Sequence, residues 1–264
     1  MTADGDDANG GERGLRTRPT GPTLGALLRD RLEAALAAAE AAAGDRPIVA
    51  LDAGCGERTS LRSVRHRIGR LIGVDLHPPS GPGPDVDEFL VADLCTDPLP
   101  LAEGSVDLAV STFTLEHFAD PGAALRTIAR CLAPGGRLVV VTVNRRHPFV
   151  AAYLALPSSL RNRLQALVKA RSADAHPLVG GCNDPLAVRD ALSEAGFAVE
   201  TLDTVGHLAT AWGLRWWSRI LGRLGDRLAA PFPSRRSTIV AVARAVARTA
   251  DPLGTPEAEG AALR

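Results

Sequence analysis

The segment Val49-Ala50-Leu51-Asp52-Ala53-Gly54-Cys55-Gly56-Glu57 constrains this chain most, because an apolar run ends in an acid and breaks at once into two glycines one residue apart. The pattern is that of a buried strand turning tightly beneath a ligand. Glycine reaches positive φ and lets a ligand approach with no Cβ in the way, while the acid before it can take a donor or a positive charge. A second run, Leu71-Ile72-Gly73-Val74-Asp75, ends in another acid 23 residues after Asp52, where a nucleotide-binding βαβ unit presents a carboxylate to ribose hydroxyls. Two acids at two strand ends point to a nucleoside ligand.

The surrounding pattern alternates in type. Apolar strands at about 47–52, 70–75, 88–92, 106–111 and 136–143 are separated by helical or loop stretches. That rhythm predicts a parallel sheet with helices on both faces. Leu24, Leu28, Leu32 and Leu36 recur every four residues and predict a helix from Thr23 to Gly44, placed over the first strand or the ligand mouth. Ala124, Leu125, Ile128, Ala129 and Leu132 stripe a helix that starts at Pro121 and is stopped by Pro134-Gly135-Gly136. Further on come a helical piece near 158–171, a helix at 185–195, a strand at 197–202, a tryptophan-bearing helical segment at 206–230 and a last strand at 237–243. Residues 1–21, rich in Gly, Asp, Arg and Thr, read as a disordered tail, and 249–264 as a loose one. One domain over 22–248 is expected, with a ligand-binding half at 45–143 and insertions at about 144–183 and 206–236.

Composition excludes several classes. The 264 residues carry 30 basic and 30 acidic groups, so no global field draws the chain to nucleic acid. Cys55, Cys95, Cys131 and Cys182 form no C-x-x-C pair and have no histidine at ligand spacing, so no metal site is expected. An acidic start with Asp4, Asp6 and Asp7 is the reverse of a signal peptide, and no apolar run nears the length of a membrane span. The expectation is a cytoplasmic protein, at most peripheral at a membrane.

Five pieces in order, Leu51-Asp52-Ala53-Gly54-Cys55-Gly56, Gly73-Val74-Asp75, Ala92-Asp93-Leu94, Ser105-Val106-Asp107-Leu108-Ala109-Val110-Ser111 running into Leu115-Glu116-His117-Phe118, and Leu132-Ala133-Pro134-Gly135-Gly136, resemble a class I S-adenosylmethionine-dependent methyltransferase of the small, single-domain, type 11-like kind. A nicotinamide-dependent oxidoreductase is the natural rival, but its third glycine is missing, with Arg58 and Thr59 where it should be. The resemblance implies an α/β, Rossmann-like, doubly wound sheet of seven strands, mostly parallel with an antiparallel last strand. It implies S-adenosyl-L-methionine as cofactor, its methionine tail at Asp52, Gly54 and Gly56, its ribose at Asp75 with Leu76, its adenine at Asp93 and Leu94, and its sulfonium above Ser111 and Thr112. Glu57-Arg58, in place of a further glycine, adds side chains near the tail. No base stands out; His117, His147, Tyr153 and His176 are weak candidates, and Asn183 lies in the same acceptor-side stretch.

Residues 145–171 hold Arg145, Arg146, Arg161, Arg163, Lys169 and Arg171 and no acid, while Trp212, Trp216, Ile220, Leu224 and Leu228 recur every four residues beside Arg215, Arg219, Arg223 and Arg227. Two basic amphipathic segments suit a small, anionic or lipid-linked acceptor or a peripheral membrane contact through 206–230; packing on the sheet edge with the arginines in water is the competing reading. The alternatives to a methyltransferase are a catalytically inactive cofactor-binding protein and a membrane-peripheral protein on the same fold. No obligate protein partner is inferred.

Overall fold

The computed structural model describes residues 22–161, 163, 181–211 and 216–246. Its strands are β1 (Val49–Ala53), β2 (Arg70–Asp75), β3 (Glu88–Val91), β4 (Val106–Thr112), β5 (Leu132–Val143), β6 (Phe197–Val205) and β7 (Thr238–Ala245). They form one sheet in the order β3-β2-β1-β4-β5-β7-β6. The first five pair in parallel, and β7 runs antiparallel between β5 and β6. This is the doubly wound α/β sheet with an antiparallel last strand that the resemblance implies. Its centre is buried on both sides, which is why β1, β4 and β5 read as near-continuous apolar runs.

Helix α1 (Leu24–Ala43) starts where the Thr23 hydroxyl accepts from the Ala26 amide at 3.2 Å and ends at Gly44, φ +63°, whose N–H donates to the Glu40 carbonyl. It packs on the sheet, in one cluster with Ala50 of β1. Leu32, Ala35, Leu36 and Ala39 pack with Leu108, Val110, Val139 and Val242, and Leu24 and Leu27 pack with Val141, Val205 and Val240. Twenty residues make a rod of about 30 Å, so the leucine–alanine stripe spans β4, β5 and β7, the broad middle of one sheet face. Arg31 pairs with Asp203 of β6 at 2.7 Å, and Arg67 pairs with Glu33 and Glu40, tying the helix to the loop before β2.

The opposite face is covered by α2 (Pro121–Cys131) and α4 (Pro185–Glu194), through Leu125, Ile128, Val188 and Leu192 packed with Leu51, Ile72, Ala109 and Val140. The short α3 (Pro148–Leu154) precedes α4. Asp107 accepts from both terminal guanidinium nitrogens of Arg46 (2.8 and 2.6 Å) and from the Val49 amide (2.9 Å), so one carboxylate fixes the start of β1 against β4. Differences from expectation are local. Leu132 already has extended φ/ψ and pairs with Val106, so β5 begins before Pro134, and β6 runs on to Val205. Beyond β6 come α5 (Leu208–Ala211) and α6 (Trp216–Ala229). The tails, the helical piece expected beyond Arg163, His176, Trp212 and Arg215 lie outside the described residues. Among the described residues no helix is long and apolar enough to cross a membrane, no group of His, Cys, Asp or Glu could hold a metal, and the four cysteines are free.

Candidate functional site

The C-terminal ends of β1, β2 and β4, with the loops that follow them, enclose a cleft of about 480 Å³. Its back wall is the glycine turn. Gly54 has φ +79° and sits so close to β4 that an added Cβ would fall 2.1 Å from Thr114 Cγ2. The Gly54 and Cys55 amides share the Val74 carbonyl, at 2.7 and 3.2 Å, which folds the turn back over β2. Gly56, φ +52°, has open space where its side chain would be, and its N–H donates to Asp75 Oδ2 at 2.9 Å. The other Asp75 oxygen accepts from the His77 amide at 3.2 Å. Bare main chain and a carboxylate therefore meet at one rim of the sheet.

Gly54, Gly56, Asp75, Leu76, Asp93, Leu94 and Thr112 all line this cleft. Asp93 also caps its own turn, Oδ1 accepting from the Cys95 amide at 2.8 Å. Two expected residues do not reach the surface of the cleft. Ser111 is fully buried, because consecutive strand residues point to opposite faces and Thr112 takes the open one. Asp52 is fully buried beneath the turn: Oδ2 accepts from Thr59 Oγ1 and the Ser60 amide, each at 2.7 Å, and Oδ1 has no partner. Its place is that of a brace, holding the exit of the glycine loop to the end of β1.

Burial pushes the Asp52 carboxyl up to about 6, against the lowering effect of the Thr59 and Ser60 donors, with the negative charge of Asp75 adding to the rise. The folded protein thus holds this proton where the unfolded chain, near 3.8, has lost it. Stability contributed by the site is full below pH 4 and declines as pH rises toward 6, by roughly 3 kcal/mol. Urea unfolding between pH 4 and 7 should show this decline in the wild type and a flatter profile in Asp52→Asn; parallel profiles would contradict it.

The partners and backbone conformations of several lining residues were not legible beforehand. Glu57 Oε1 accepts from both the amide (2.7 Å) and the hydroxyl (2.8 Å) of Ser80, and these donors hold its carboxyl below its ordinary range. The side chain in place of a further glycine therefore straps the turn to the loop after β2. Phe113 has φ +54°, rare for a residue with a Cβ, and stacks on His207 with ring centres 5.9 Å apart. Thr114 Oγ1 donates to the Gly54 carbonyl at 3.3 Å, closing β4 against the glycine turn.

The three weak catalytic candidates among the described residues separate. His117 lines the cleft. Its neighbour Glu116 is buried and accepts from Thr142 Oγ1 at 2.8 Å, a brace to β5. His147 is fully buried, away from the cleft: Nδ1 accepts from the Phe149 amide at 3.2 Å to cap α3, and burial pushes the imidazole below its ordinary value. Tyr153 sits on α3, also away from the cleft, its phenol pushed up by burial. Asn183 is buried, and its backbone carbonyl accepts from the Arg145 amide at 2.7 Å.

A family model described as a methyltransferase domain matches residues 51–140. The chain is 34% identical over 128 residues to the demethylmenaquinone methyltransferase of Thermus thermophilus, covering 45% of this chain and 56% of that one. It is 51% identical over 47 residues to the ubiquinone biosynthesis O-methyltransferase of Caulobacter sp. strain K31, covering 17% and 19%. The chain spans about half the length or less of these curated relatives. Among solved structures, the geranyl diphosphate C-methyltransferase of Streptomyces coelicolor, in complex with Mg2+, geranyl diphosphate and S-adenosyl-L-homocysteine, superposes with a TM-score of 0.51 at 16% identity, over 81% of this chain and 77% of that one, and shares the fold.

Proposed function

We propose, for a chain whose residues 51–140 belong to the methyltransferase-domain family, that it is a class I S-adenosylmethionine-dependent methyltransferase acting on a small-molecule or lipid-linked acceptor. One observation carries the reading: the Cβ-free turn at Gly54 and Gly56 and the Asp75 carboxylate share a single cleft at the carboxyl ends of the strands. The residues fit the cofactor. Open space beside Gly56 admits the backbone approach that an amino-acid tail needs, Asp75 offers acceptors for a ribose diol, and Thr112 in the cleft has a buried hydroxyl without a protein partner. Asp93 and Leu94, on the same wall, take the adenine side.

When bound, S-adenosylmethionine supplies an electrophilic methyl group on a sulfonium. The protein's part is orientation and exclusion of water. Asp52, through Thr59 and Ser60, and Glu116, through Thr142, act as positioning residues, keeping the glycine turn and the end of β4 in place. Of the weak base candidates among the described residues, His117 is the one at the cleft, and it is needed only for an acceptor that must lose a proton. A single methyltransferase domain over 22–248 carries this activity. The names of two relatives, for ubiquinone biosynthesis and demethylmenaquinone, favour an apolar, ring-bearing acceptor.

Incubation with methyl-labelled S-adenosylmethionine and a panel of quinol, phenol and prenyl-linked acceptors tests this. Acceptor-dependent transfer of label, with release of S-adenosylhomocysteine, is the expected result. Tight cofactor binding with no transfer to any acceptor would favour the inactive, cofactor-binding reading instead.

A further inference from the structure

Helix α6 is packed inside out. The residues it buries are small: Ser218, Gly222, Gly225 and Ala229. Gly222 lies so close to α5 that an added Cβ would come within 2.6 Å of the Ala209 backbone, and one on Gly225 would meet Phe149 at 2.9 Å and His147 at 3.0 Å. The large apolar residues point away. Trp216 (76% exposed), Ile220 (52%), Leu224 (47%) and Leu228 (58%), four residues apart, form a stripe that Leu221 and Phe232 widen. A surface helix normally lays such residues on its own domain. Here the sequence-based alternative, burial of the stripe against the sheet edge, is not what the fold does.

Charge accompanies the exposed stripe. Arg219, Arg223 and Arg227 are exposed on the same helix, and Arg235 stands 5.6 Å over the Phe232 ring. The one acid between 216 and 235, Asp226, is turned inward, accepting from the Leu208 and Ala209 amides and the Ser237 hydroxyl at 3.0–3.3 Å. Leucines and a tryptophan flanked by arginines, with no acid among them, form the pattern of a helix lying in the headgroup layer, its guanidinium groups reaching anionic phosphates.

We infer that the outer face of α6 docks this protein on an anionic lipid bilayer. A second copy of the chain fits the same face less well. A two-fold contact places like arginine rows against each other, whereas an anionic surface complements both the apolar and the charged parts. The inference deepens the lipid-facing part of the proposed function, and its test needs neither acceptor nor turnover.

The test is co-sedimentation of the full chain with vesicles of phosphatidylcholine alone or mixed with phosphatidylglycerol, with S-adenosylhomocysteine affinity measured alongside. Binding to the mixed vesicles, weakened by salt, is expected. Each arginine removed should weaken it about fivefold, so Arg219→Glu/Arg223→Glu should lose at least tenfold, and Leu224→Glu/Leu228→Glu a comparable amount. Leu186→Glu, at an exposed leucine on α4, should bind as wild type. Every substituted side chain is exposed, so cofactor affinity should persist and report the fold. Absence of binding to either vesicle, equal binding by wild type and both double variants, or a concentration-dependent dimer dissolved by Leu224→Glu/Leu228→Glu without vesicle binding would each overturn the inference. Loss of cofactor affinity alone would bear on the methyltransferase reading and leave membrane docking standing.

Discussion

Gly54→Ala should lower affinity for S-adenosylhomocysteine by about a hundredfold or more while leaving the protein folded. Two effects act together. At φ +79° an alanine is held in the left-handed region at a cost of about 1–2 kcal/mol. Its Cβ would also lie 2.1 Å from Thr114 Cγ2 and 2.7 Å from Thr114 Cβ, and no rotamer moves Thr114 Cβ. Either the turn or the end of β4 must shift, and both are walls of the cleft. A displaced wall no longer presents its amides to the ligand's charged tail, and losing charge-assisted hydrogen bonds costs about 1.5–3 kcal/mol each, which reaches a factor of a hundred. Calorimetric titration reads the affinity, and a melting curve reports the fold. Gly54→Ala/Thr114→Gly should recover part of the loss, since it removes the clash and keeps the φ strain. Wild-type affinity in Gly54→Ala would show that the turn does not touch the ligand.

The second large effect is expected at Asp75. Its carboxylate already orders the rim, accepting from the Gly56 and His77 amides. Asp75→Ala removes the acceptors for a ribose diol and leaves those amides without their partner. Charge-assisted hydrogen bonds contribute about 1.5–3 kcal/mol, so affinity for both S-adenosylmethionine and S-adenosylhomocysteine should fall at least tenfold. Asp75→Asn, which keeps one acceptor oxygen, should fall between the two. Equal affinity in wild type and Asp75→Ala would refute the ribose assignment.

The acids and glycines at strand ends were legible because each is a local rule: an apolar run, an abrupt acid, then residues without a Cβ. Long-range partners were not. Asp52 reads as a ligand contact until Thr59 and Ser60 are seen to claim it, and Ser111 reads like Thr112 until the alternation of β4 is fixed in space. Phe113 in the left-handed region, stacked on His207 from a distant segment, has no signature in the chain. His147 lies in a plausible acceptor stretch, yet the start of α3 and the close approach of Gly225 bury it. In α6 the tryptophan, leucine and arginine spacing was plain, but which side faces inward depended on Ser218, Gly222, Gly225 and Ala229, a stripe of small residues that hydrophobicity alone passes over.

A crystal structure of the protein with S-adenosyl-L-homocysteine decides the account most directly. The nucleoside should lie in the cleft with its ribose hydroxyls on Asp75 and its amino-acid tail along Gly54–Gly56. A ligand bound elsewhere, or a cleft left empty with Glu57 and Ser80 closed across it at saturating ligand, would contradict it.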